Sequence, residues 1–113
     1  MRTAWLLRGG DVLASAEVAE TRADRARGLT GHARYDGALL LTRTRWVHSA
    51  GMQFPLDIAY LDHELTVVAA ATLRPWSVAL PRRGSQHVLE AQAGAFERWR
   101  LLPGDQIEIR ETA

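Results

Sequence analysis

The chain has 113 residues, of which 47% are apolar and 24% charged, and its formal net charge is +1. That length supports one hydrophobic core but not two, and the composition is that of a folded chain, not a disordered one. Near-neutrality leaves no global field to attract nucleic acid or an acidic membrane, and the absence of cysteine excludes disulfides, thiolate metal sites and a cysteine nucleophile.

Residues 3–8 and 12–19 read as two strands joined at Gly9-Gly10, a pair suited to the positive φ angles of a tight hairpin. In the second strand Val12, Ala14, Ala16 and Val18 share one face, and Ser15 and Glu17 the other. Thr21 then opens a short helix: its hydroxyl can cap an orphan amide, and Asp24 suits the positive end of the helix dipole. Gly28 ends that helix, because it can take the left-handed conformation. The apolar run 37–41 is a central strand, and 42–54 a long ordered loop or bent strand.

Pro55 opens the next strand, with Leu56, Ile58 and Tyr60 on one face and Asp57, Ala59 and Leu61 on the other. After the turn at Asp62-His63-Glu64, residues 65–72 are apolar on both faces and are expected to be buried. Residues 74–85 form a second long connection, broken by two prolines and a glycine. Residues 87–91 are a strand, 94–101 a short helix presenting Phe96 and Trp99, 102–105 a turn, and 106–110 a last strand. The sum is a mostly β, α+β fold of about seven short strands and two short helices. It forms a single mixed-sheet or partly closed, barrel-like domain over residues 1–113.

Three blocks carry a family resemblance. Ala19, Thr21, Asp24, Arg25, Gly28 and Leu29 follow the pattern Ala-x-Thr-x-x-Glu-Arg-x-x-Gly-Leu-Met, with Asp24 in place of Glu and Thr30 in place of Met. Residues 47–58, from Val47-His48-Ser49-Ala50-Gly51-Met52 to Pro55-Leu56-Asp57-Ile58, form the second block, with Ser49 where Thr is usual. The third is Val88-Leu89-Glu90, then Ala93-Gly94 and Gly104-Asp105. Over about residues 12–110 the chain resembles the domain of unknown function 192 family of small bacterial and archaeal proteins. The resemblance implies a compact, β-rich α+β domain and no established reaction.

The stretch from Arg43 to Asp57 concentrates chemistry in a non-periodic segment, where function gathers more often than on strands. Asp57 is either pinned by loop amides or is a binding or general-base carboxylate. His48 is either hydrogen-bonded in a structural role or moves protons. No Gly-x-Ser-x-Gly elbow supports Ser49 as a nucleophile. His32, His48, His63 and His87 lack metal-ligand spacing, so no metal is expected, although strand geometry can bring His48, Asp57 and Glu90 together. Glu90 reads as a half-exposed strand carboxylate or as the buried ion-pair partner of Arg25 or Arg45.

All 14 basic residues are arginines. Genomic composition explains this, as does selection for bidentate phosphate recognition, which requires clustering that the linear sequence shows only weakly. Arg43/Arg45 and Arg82/Arg83 sit in the two long loops beside Trp46 and Trp76, and form an anion site if the loops adjoin.

The leading expectation is therefore a non-catalytic ligand-binding or accessory domain, taking an unknown small molecule or peptide in a groove between loops 42–54 and 74–86. Arg45, Trp46, His48, Met52, Asp57 and Trp76 are its candidate lining, while Thr21, Arg25, Gly28, Glu90, Gly104 and Asp105 are structural. One alternative is a hydrolase- or lyase-type enzyme pairing Asp57 with His48. Another is an interaction module working through an exposed strand edge. No cofactor, nucleic-acid partner or membrane insertion is expected. The short apolar stretch of residues 4–7 is no signal-peptide core, which makes a cytoplasmic location the default.

Overall fold

A computed structural model describes residues 1–112. β1 (Arg2–Arg8) and β2 (Asp11–Ala19) form the expected hairpin, with Gly9 and Gly10 at φ 59° and 87°. α1 (Arg22–Arg27) crosses to β3 (Ala38–Leu41), which lies parallel to β2. A parallel pair needs such a crossover, and α1, which buries none of its side chains, lies within it. β4 (Val47–His48) is followed by β5 (Leu56–Leu61), β6 (Val67–Leu73), β7 (Val78–Ala79), β8 (His87–Gln92), α2 (Ala95–Trp99) and β9 (Glu108–Glu111).

Seven strands make one mixed sheet in the order β6-β5-β8-β3-β2-β1-β9, and β4 pairs with β7 in a separate mini-sheet. The large sheet is not closed into a barrel. Its two rims touch through one bridge, Thr66 to Gln106, and the Val67 amide donates to the Asp105 carbonyl at 2.8 Å. The turn after α2 is fixed there: the Gly104 amide donates to Val67, and Asp105 accepts from the Leu102 amide and from Arg8.

The central strands β3, β5 and β8 bury both faces, so the molecule has two apolar layers. On one face Leu6, Val18, Leu40, Ala59, Leu61 and Leu89 pack under Phe96 of α2. On the other, Leu39, Leu41, Leu56, Ile58, Tyr60 and Val88 pack under Leu29, Val47, Met52, Phe54 and Ala79. Period-two alternation assigns these faces, because successive side chains leave a strand on opposite sides.

Two strand expectations are corrected. β6 is an edge strand, paired only with β5 along its length, and its side chains alternate between buried and exposed. Its alanines carry too little apolar surface to demand cover on both sides. In β2 the phase slips at a β-bulge opposite Leu6 and Leu7, so Val12 is exposed while Leu13 packs against the core.

Candidate functional site

α1 is short but well anchored. The Thr21 hydroxyl accepts from the Asp24 amide at 3.1 Å, and the Gly28 amide closes the last turn on the Asp24 carbonyl. Gly28 has φ 52° and ψ −131°, a conformation that disfavours any side chain. A Cβ there would stand 3.0 Å from Oε1 of Glu90, which lies directly beneath. Arg25 straps the helix to the next segment by donating to the carbonyls of Thr42 and Arg43 at 3.2 and 3.1 Å. Arg43 takes φ 48°, and its amide donates to Nδ1 of His87 at 2.9 Å. Burial, and then the positive charge of Arg43, hold His87 below the usual imidazole range.

Between α1 and residues 43–48 lies a cavity of about 600 Å³. Arg22, Arg25, Arg27 and Gly28 form one wall, and Arg43, Arg45, Trp46 and His48 the other. Leu41, Val47 and Glu90 also line it. Among the described residues, arginine ion pairs involve only Arg2, Arg8 and Arg110, so the five cavity arginines have no carboxylate partner. Glu90 is 2% exposed, and its Oε1 is buried with no hydrogen-bond partner among the described residues. Burial raises its pKa from the usual carboxylate value to about 7. Among the described residues it is neither half-exposed nor ion-paired: of its expected partners, Arg25 donates to backbone carbonyls and Arg45 makes no ion pair.

Asp57 stands in contrast. It leaves β5 on the α2 face, where Oδ2 accepts from the amides of Gly94 at 2.9 Å and Phe96 at 3.1 Å. Its Oδ1 accepts from the Thr72 hydroxyl at 3.3 Å. Asp57 thus supplies the cap that Gly94, with no side chain, cannot give to α2. His48 belongs to the mini-sheet that covers the opposite face, where its Nδ1 accepts from the Ala50 amide. An acid–base pair of Asp57 and His48 is therefore geometrically excluded, and His48, Asp57 and Glu90 do not converge. The described residues hold no group of three or more metal-ligating side chains.

The two long loops do meet, through pairing of Val47 with Ala79 and His48 with Val78. Ser49, fully buried, rivets them: its hydroxyl donates to the Arg74 carbonyl at 2.6 Å and accepts from the Ser77 amide at 2.9 Å. This zipper leaves little room between the loops, where the depression beside Arg45, Gly84, Ser85 and Gln86 is about 330 Å³. The larger cavity instead lies between loop 42–54 and α1. Of the expected lining, Arg45, Trp46 and His48 stand on it. Met52 is a core residue, and Trp76 projects into solvent at 76% exposure. Sequence reasoning placed Arg25, Gly28 and Glu90 among structural residues and left Arg22 and Arg27 aside. The available signal was a lone acid in an apolar strand together with an arginine-rich helix.

The family model described as DUF192, uncharacterized ACR, matches residues 5–109. The chain belongs to the DUF192 family. A UPF0127 protein of Pyrococcus abyssi is 34% identical over 62 residues, 55% of this chain and 53% of that protein. The match thus spans about half the length of such curated relatives. A Sinorhizobium meliloti crystal structure, described as a candidate transcription regulator, superposes with a TM-score of 0.81 at 24% identity, over 96% of this chain and 92% of that one. A protein of unknown function from Novosphingobium aromaticivorans gives a TM-score of 0.76 at 19% identity, over 96% and 84%. At these identities the likeness is one of fold. The family has no assigned activity, and no helix among the described residues is long and apolar enough to cross a membrane.

Proposed function

We propose that this DUF192 protein is a non-catalytic binding domain whose ligand, a small molecule or a peptide, enters the cavity between α1 and residues 43–48. One observation carries this reading: Glu90, a buried acid whose Oε1 has no hydrogen-bond partner among the described residues, lines that cavity. A buried acceptor without a partner is costly and uncommon in a native protein. A ligand N–H or O–H in the cavity would give the Glu90 carboxyl group a partner. In the same reading residues 1–113 act as one domain in the cytoplasm.

Amide chemical-shift titration against a mixed library of metabolites and short peptides tests it. Shifts are expected at Gly28, at residues 43–48 and at Glu90. Shifts confined to the α2 face, or none from any compound, would overturn it.

A second reading, interaction through a strand edge, draws support from β6. Its sequence, VVAAATL, bears no charge, and it is paired on one side only. Sedimentation would show association that Ala70→Lys abolishes; a monomer at all concentrations, with no partner strand bound, counts against it.

A further inference from the structure

The chemistry of the cavity, taken as the binding site proposed above, narrows what can fill it. Its arginines, Arg22, Arg25, Arg27, Arg43 and Arg45, have no carboxylate partners among the described residues, although the whole chain is nearly neutral. Arg25 donates from Nη1 to the Thr42 and Arg43 carbonyls and from Nε to the Thr21 carbonyl, and Arg27 reaches the Thr30 carbonyl, while the side chains of Arg22, Arg43 and Arg45 bond to nothing among the described residues. Such a concentration of bidentate donors calls for an anion.

A bare anion is nevertheless a poor occupant. It would use the arginines alone and offer the Glu90 carboxyl group no donor. A hydrogen-bond donor set against Glu90 would complement its carboxylate form. A neutral donor suits it better than a cation, because the same cavity is ringed by guanidinium groups. Leu41, Val47 and the exposed ring of Trp46 also line the cavity and favour an apolar or planar body. A volume of about 600 Å³ is in the range that holds a ligand of that size.

We propose that the cavity takes a nucleoside phosphate, with ring N–H groups on Glu90, the heterocycle beside Trp46 and the phosphate on Arg43 and Arg45. Guanine carries N–H donors on its Watson–Crick edge, where an acceptor such as the Glu90 carboxyl group can meet them, so GMP is the probe of choice.

Calorimetry and the Trp46 indole resonance, read with GMP, guanosine and inorganic phosphate, test this. GMP is expected to bind at least tenfold more tightly than either fragment and to shift the indole signal. Glu90→Gln should weaken GMP at least tenfold and leave phosphate unchanged. The exposed Arg45→Ala, which does not touch the core, should weaken GMP and phosphate alike. A guanine-bearing hexaribonucleotide that binds more tightly than GMP supports the same chemistry with RNA as its source. Phosphate binding as tightly as GMP, indifferent to Glu90→Gln, overturns the nucleotide while leaving the cavity a ligand site. No shift at Gly28 or residues 43–48 with any library compound overturns both.

Discussion

Asp57 and Glu90 sit almost side by side: Asp57 pairs with Ala91 and Ile58 with Glu90 across adjacent strands. Each is a buried acid in an apolar strand, but they leave opposite faces of the sheet. Asp57 is met by two amides and a hydroxyl, whereas Glu90 meets the underside of a glycine and an arginine-lined cavity. Burial alone therefore does not separate a structural carboxylate from one held open for a ligand; the partners do.

The sharpest way to break this comparison is to remove the satisfied acid. Asp57→Ala strands the Gly94 and Phe96 amides at the start of α2, and should cost about 3–4 kcal/mol. Urea unfolding monitored by circular dichroism measures it. A loss below about 1 kcal/mol would mean that water replaces the carboxylate, and that the α2 face is not the closed one.

The unsatisfied acid should behave in the opposite sense. The folded pKa of Glu90 is raised, so its protonated form is the one the fold favours. Its contribution is complete below the ordinary value of 4.5 and is lost as pH rises through about 7. Relative to Glu90→Gln, the wild type should lose on the order of 3 kcal/mol between about pH 4.5 and about pH 8.5, so the variant becomes the more stable protein in alkali. A difference independent of pH would show that Glu90 already has a partner.

How far the sequence reveals this contrast depends on what period-two patterning carries. It assigns Asp57 to the face of Ala59 and Leu61, and Glu90 to that of Val88 and Gln92, both correctly. It also finds the capping Thr21 and the helix-ending Gly28. It does not say which distant segment covers each face. The amides that satisfy Asp57 lie 37 and 39 residues away, and the helix over Glu90 arrives from the opposite end of the chain. Arg25 was a reasonable partner for Glu90 by charge, but its guanidinium reaches the Thr42 and Arg43 carbonyls first. The strands β4 and β7, of two residues each, are too short to show a period at all.

Between the two long loops the rivet is Ser49, and Ser49→Ala removes a buried donor and acceptor at once. It leaves the Arg74 carbonyl and Ser77 amide short of a partner, at about 1–2 kcal/mol. Because β4 carries His48 and follows Trp46, the same change should broaden the amide signals of residues 43–48 and so loosen one cavity wall. Unchanged linewidths with the stability loss intact would show that Arg25 and His87 hold that wall without help from the mini-sheet.

The smallest effect is expected at Trp76, and its smallness is informative. Tryptophan is the costliest residue to lose from a core, yet Trp76 is 76% exposed, and its backbone sits at φ 58°. Only its amide is engaged, donating to the Ser49 carbonyl, and any residue except proline can supply that bond. Trp76→Gly relieves the positive φ while discarding the ring, so stability should change by less than about 0.5 kcal/mol. Ligand-induced shifts at Gly28 and Glu90 should persist in the variant, since the ring lies off the cavity. Trp46→Ala, on the cavity wall, should diminish them. If the two substitutions changed places, with Trp76 governing the shifts, the ligand would lie between the loops, at the depression beside Arg45 and Gly84, and Glu90 would be a bystander.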